Sequence, residues 1–177
     1  MQPECRQPGH FPPELASPEL AQLDWRVIDD GVMGGRSRGR VIVSAGGLHF
    51  SGQLSTENNG GFSSVRGCLP HPRPGLLAAR LYLRGDGRRY QFRLRETDDP
   101  DAPAWRAFFA TTGEPQRVEL PGAGFEAVIR GRRLEVLPGL RERTVRYVGL
   151  MLTSTDEGPF RLELERLELL YDTAERD

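Results

Sequence analysis

The chain of 177 residues carries 24 basic and 25 acidic side chains, a net charge of −1, which excludes a global field steering it to nucleic acid or anionic lipid. All 24 of those basic residues are arginine, so Schiff-base chemistry, a phosphate-loop lysine and a lysine general base are excluded together. Cys5 and Cys68 make neither a disulfide framework nor a Cys-x-x-Cys zinc pair, and no apolar stretch reaches the ~18 residues a bilayer-spanning helix needs.

Residues 1–23 hold prolines at 3, 8, 12, 13 and 18. Proline removes a backbone donor and breaks helix, so this segment is expected to be an arm that wraps or frays, with at most a helical turn over 19–23. It has no basic-then-apolar leader pattern, and cytoplasmic placement is the expectation. From Trp25 onward, short alternating runs are separated by Gly, Pro and Asp clusters, which predicts strands. They are expected over 39–45, 47–55, 61–67, around 79–83, then 89–95, 105–111, 115–120, 125–130, 145–152 and 159–171. In Arg89–Arg95, Tyr90, Phe92 and Leu94 face inward while the arginines face water. Segment 159–171 fits a helix stripe or a strand whose phase slips. The slip after Leu164 is what a β-bulge produces, and a bulged strand is the expectation. Many short strands without a long amphipathic helix predict an all-β antiparallel β-sandwich. The division expected is a Pro-rich arm (1–23), one sandwich domain (24–172) and a tail (173–177).

Three loops carry the candidate chemistry. The first follows Trp25-Arg26-Val27-Ile28 and reads Asp29-Asp30-Gly31-Val32-Met33-Gly34-Gly35-Arg36-Ser37. The second, Ser55 to Arg66, contains Glu57, Gly60-Gly61, Phe62 and a closing Arg66. The third, Gly85-Asp86-Gly87, is a hairpin signal between two alternating runs. Other patterns fail on context. Gly35-x-Ser37-x-Gly39 imitates a hydrolase nucleophile elbow but is followed by Val41-Ile42-Val43, a strand rather than the required helix. His10, His49 and His71 have no metal-ligand spacing. Asp98-Asp99-Pro100-Asp101 reads as a solvated acidic loop before it reads as a calcium loop. The arginines of 80–95 lack an interleaved aromatic ladder, so nucleic acid is not expected.

Together these segments resemble the complex I intermediate-associated protein family. The likeness covers nearly all of residues 23–171 and rests on Asp29-Asp30-Gly31-Val32-Met33-Gly34-Gly35-x-Ser37, Phe50-x-Gly52, Gly60-Gly61-Phe62-Ser63-Ser64-x-Arg66, Gly85-Asp86-Gly87-Arg88-x-Tyr90 and Gly158-x-Phe160. It implies a galactose-binding-like jelly roll. It also implies a non-catalytic assembly factor or chaperone, with respiratory complex subunits or assembly intermediates as partners. No cofactor is expected, and the sequence leaves a loop calcium open. In a jelly roll the loops gather at the sandwich ends, so distant loops can meet. If they do, Asp29, Asp30 and Glu57 need a positive partner, and Arg66 is the expected clamp. That clamp either only fixes the loops or rims a recognition surface. In the second case Met33 and Phe62 are apolar contacts, and Gly34, Gly35 and Gly61 admit a partner backbone. Two rival readings are a carbohydrate-binding module using Trp105, Tyr82 and Tyr90, and an enzyme using Asp29 or Asp30 with Glu57 as paired carboxylates.

Overall fold

A computed structural model describes residues 14–135 and 139–172. Among them, thirteen strands follow one another as β1 (Glu14–Ala16), β2 (Arg26–Asp29), β3 (Arg38–Ser44), β4 (Gly47–Leu54), β5 (Phe62–Arg73), β6 (Leu76–Arg84) and β7 (Arg89–Arg95), then β8 (Ala104–Ala110), β9 (Pro115–Pro121), β10 (Glu126–Ile129), β11 (Arg132–Arg133), β12 (Val145–Thr153) and β13 (Gly158–Tyr171). Among the described residues, helical structure is limited to short 3-10 turns, including Leu20–Leu23, Asp30–Met33 and Glu57–Asn59.

The strands form two antiparallel sheets. One runs β3-β4-β13-β6-β9, with β1 also paired to β13; the other runs β11-β10-β8-β7-β12-β5-β2. Their inner faces share one core, in which Phe50, Leu81, Leu162 and Leu164 of the first sheet meet Val65, Tyr90, Phe92, Leu94, Val148 and Leu150 of the second. Alternation therefore assigns faces as expected: Tyr90, Phe92 and Leu94 point inward, and Arg93 and Arg95 lie on the opposite face.

The bulge in 159–171 is present. β13 pairs with β6 up to Leu164, slips by one residue, and resumes at Arg166, which keeps both Leu164 and Leu167 in the core. Residues 1–13 of the expected arm lie outside the described part, and within 14–23 the structure differs from expectation in one respect. Beside the turn at Leu20–Leu23, residues Glu14–Ala16 form a strand against Leu169–Tyr171. β4 leaves β13 at Leu164, so the end of β13 has a free edge, and the Pro-free stretch 14–16 can supply the N–H groups it needs. Leu20 and Leu23 enter the core, and the Trp25 indole N–H donates to the Leu20 carbonyl at 2.8 Å.

Candidate functional site

Asp30 organises the first two loops. It stands at the start of the 3-10 turn after β2, is 0% exposed, and is surrounded by N–H and O–H donors. One carboxylate oxygen accepts the Ser37 N–H at 2.9 Å. The other accepts the Ser37 hydroxyl at 2.6 Å, the Gly61 N–H at 2.7 Å and the Phe62 N–H at 3.2 Å. The Ser37 hydroxyl in turn accepts the Ser55 N–H at 3.0 Å, and Asn58 donates its side-chain amide to the Gly34 carbonyl at 3.1 Å. Loops far apart in sequence thus close on one carboxylate.

The glycines are explained by that carboxylate. A Cβ on Gly35 would stand 2.5 Å from Asp30 Oδ1, and a Cβ on Gly60 would stand 2.5 Å from Asp30 Oδ2. Both distances are well inside van der Waals contact, so these positions are small in order to admit Asp30. Gly34 and Gly61 have a different reason, with φ of +85° and +126°, a region that costs a side-chain-bearing residue strain. Asp29 is used internally too: it accepts the Gly39 N–H at 2.8 Å and the Ser63 hydroxyl.

Burial pushes the Asp30 carboxyl up, but the donations from the Ser37 hydroxyl and from the Gly61, Ser37 and Phe62 N–H groups outweigh it. The net pKa lies below the ordinary 3.8. A folded-state pKa below the unfolded one means that Asp30 stabilises the fold above pH ~4 and that this stabilisation is lost as the pH falls through the folded value. The melting temperature of the parent chain, followed by circular dichroism from pH 6 to 2.5, is therefore expected to fall steeply below pH ~4, whereas Asp30→Asn gives a flatter profile over that window.

The expected Arg66 clamp is absent. Arg66 sits mid-strand in β5, paired with Arg26 of β2 and Gly149 of β12, and points to the outer face of the seven-stranded sheet. The reason is parity: Val65 faces the core, so Arg66 projects from the opposite face of the sheet. The loops are closed by neutral N–H and O–H donors instead. Glu57 pairs with Arg36 at 3.1 Å, and both side chains are mostly exposed (61% and 70%). Phe62 lines the outer-face groove with Arg66. Met33 lies in the 3-10 turn Asp30–Met33, and its side chain is outside the described part.

The third loop reaches the same end of the molecule. Asp86 accepts the Tyr90 hydroxyl at 3.0 Å, the Arg88 N–H at 3.1 Å and the Arg161 N–H at 2.8 Å, so it ties the β6–β7 hairpin to β13. Burial, with Asp86 beside it, pushes the Tyr90 hydroxyl far above its usual pKa, and it stays protonated as a donor. Arg88 then donates to the carbonyls of Asp156 and Glu157, and the Glu157 carboxylate accepts the Thr56 N–H at 2.9 Å. The three loops are thereby linked through the turn before β13.

The rival site residues fare differently. Trp105 and Tyr90 are 4% and 0% exposed, so neither can stack on a sugar, and only Tyr82 of that set reaches the surface. Asp29 and Asp30 are occupied by internal donors and cannot serve as an open carboxylate pair with Glu57. Among the described residues, no group of three or more His, Cys, Asp and Glu side chains could hold a metal ion.

A larger feature escaped the sequence. The outer face of the seven-stranded sheet carries a groove of about 590 Å³ whose lining includes Phe62, Arg66, Gln91, Arg93, Tyr147 and Met151. Arg93 and Arg95 line it instead of facing open water. Arginines alternating with core residues in β7, and Arg66 next to core-facing Val65 in β5, were the available signal, but their juxtaposition depends on β12 inserting between those strands.

The family model of complex I intermediate-associated protein 30 matches residues 14–164. No curated protein matches the chain at a significant level. Among solved structures, the family 11 carbohydrate-binding module from Clostridium thermocellum, in complex with a β-1,3-1,4-mixed-linked tetrasaccharide, aligns with TM-score 0.62 at 14% identity, covering 89% of this chain and 95% of that one. The xylan-binding module CBM15 aligns with TM-score 0.56 at 11% identity, covering 93% and 99%. At such identities the likeness is one of fold, the galactose-binding-like jelly-roll sandwich.

Proposed function

The chain belongs to the complex I intermediate-associated protein 30 family, and on that premise we propose that it is a non-catalytic binding module. In this role it holds subunits or intermediates of a multi-subunit respiratory complex during assembly, at a cytoplasmic location. The observation that carries the proposal is the family match over residues 14–164. The internal use of both Asp29 and Asp30 supports the non-catalytic part, since neither carboxylate is left to move a proton. Among the described residues no helix is long and apolar enough to cross a membrane.

The loop end of the sandwich is the recognition surface in this proposal. Asp30, Ser37, Gly35, Gly60 and Gly61 act by holding the loops in one conformation, which lowers the ordering cost of binding. Exposed Arg36, Glu57 and Asn58 are what a partner would meet. The test is affinity purification of the tagged full chain from mildly solubilised cells that express it natively, followed by mass spectrometry. Respiratory-complex subunits should co-purify, and Glu57→Arg, which creates a like-charge contact beside Arg36, should cut their recovery about tenfold. Recovery of the parent chain without such subunits sinks the assembly role. Capture that ignores Glu57→Arg removes the surface from these loops.

A further inference from the structure

A row of in-register residues crosses the outer face of the seven-stranded sheet. Arg26 of β2 stands opposite Arg66 of β5, Arg66 opposite Gly149 of β12, Gly149 opposite Arg93 of β7, and Arg93 opposite Arg106 of β8. Like charges directly opposed across a ladder destabilise a sheet, so the row is costly for folding alone. Gly149 at its centre carries no side chain, since a Cβ there would stand 2.7 Å from the Val65 carbonyl oxygen, and it separates Arg66 from Arg93 by two strand spacings, about 10 Å, at the backbone.

The charge of this row is unevenly compensated. Arg106 meets Glu126 at 3.3 Å, at the far end of the row. Arg66 and Arg93 have no carboxylate within salt-bridge distance among the described residues. Arg93 is oriented instead by a neutral relay: Gln91 donates to the Thr153 hydroxyl at 3.0 Å and accepts from the Arg93 guanidinium at 2.8 Å. Burial, with Arg95, Arg106 and Arg66 nearby, lowers Arg93 to about 10. Burial, with Arg95 and Arg26 nearby, lowers Arg66 as well. Both remain cations at neutral pH and are half-buried; Asp98 offsets part of the charge at Arg66, whereas no carboxylate acts on Arg93. Phe62, Tyr147 and Met151 supply apolar walls, and a volume of about 590 Å³ is that of a small-molecule site.

We infer that this groove binds a small molecule bearing carboxylate or phosphate groups, seated over Gly149 and forked by Arg66 and Arg93. Guanidinium groups bind either oxyanion through paired N–H donors, which fits a site made of arginine alone. The inference is independent of the assembly role, because it concerns the purified chain and needs no partner protein.

The test is thermal unfolding of the full chain at low salt with inorganic pyrophosphate or citrate, against sodium chloride of matched ionic strength, with calorimetric titration of whichever anion stabilises. One of the two is expected to raise the melting temperature above the chloride control, and which of them does so separates phosphate from carboxylate recognition. Arg93→Met, which keeps the volume and removes the unpaired charge, should raise the ligand-free melting temperature by about 2–4 °C while weakening the anion at least tenfold. Arg66→Met, on a different strand, should weaken the anion similarly and guards against misfolding of the first variant. The inference is overturned if neither anion exceeds chloride, or if either variant retains full affinity. It is also overturned if an acidic peptide or a neutral β-1,3-1,4-glucan tetrasaccharide stabilises the chain while both small anions fail.

Discussion

Asp30→Ala melts about 10 °C below the parent chain, followed by circular dichroism at pH 7, with the same sheet signal at low temperature. The size of the effect comes from what the substitution strands. The Ser37, Gly61 and Phe62 N–H groups lose their acceptor in a position that is 0% exposed. Each orphaned donor costs about 1–3 kcal/mol, and water entering the vacated space recovers part of that, leaving about 3–4 kcal/mol in total. A domain of this size loses roughly 2–4 °C per kcal/mol. The companion variant Gly31→Ala, in the same loop, should melt within about 1 °C of the parent, because a Cβ there meets nothing within 4 Å. If Asp30→Ala is equally silent, the carboxylate is not the keystone of these loops.

Gly52→Ala is expected to have the second large effect, about 3 kcal/mol, read as the shift of the midpoint in urea at unchanged slope. Gly52 lies in β4 opposite Gly39 of β3 and Phe160 of β13. A methyl group there would collide with the Arg38 carbonyl oxygen, and backbone on both sides of the contact leaves no flexible side chain to yield. The ladder between β3 and β4 must open to make room, and β3 holds Gly39, whose N–H is the donor to Asp29. Gly46→Ala, in the turn joining the same two strands, has only the Ser44 hydroxyl near it at 3.9 Å and should leave the midpoint unchanged. Equal midpoints for Gly52→Ala and the parent would mean that β3 is not packed against β4 as described.

The latch and the groove share a strand. Asp30 fixes the N–H groups of Gly61 and Phe62 at the start of β5, and Phe62, Ser64 and Arg66 of that strand line the outer face. Loop closure at the end of the sandwich therefore sets the position of residues that bound the groove. A partner at the loops and an anion in the groove would meet through β5, although each is tested separately.

Residue order by itself determined the all-β class, the inward residues of β7, the β6–β7 hairpin and the bulge in β13, because each depends on alternation and turn chemistry within a few neighbouring residues. It also picked out Asp30, Gly35, Ser37, Gly60 and Gly61 as belonging together, although the motif could not say that the carboxylate is buried and the glycines are small to admit it. Arg66 shows where such legibility ended: charge complementarity pointed it at the aspartates, whereas its place one residue after core-facing Val65 turns it to the opposite side. Trp105 shows the same limit, since an aromatic in an alternating run looks alike whether its face is buried or open, whereas alternation had already turned Tyr90 inward. Only tertiary structure decided that β12 lies between β5 and β7, which sets Arg66 and Arg93 on either side of Gly149. That adjacency joins residues dozens of positions apart through strand pairing, and pairing is fixed by the packing of the whole sheet rather than by any local pattern.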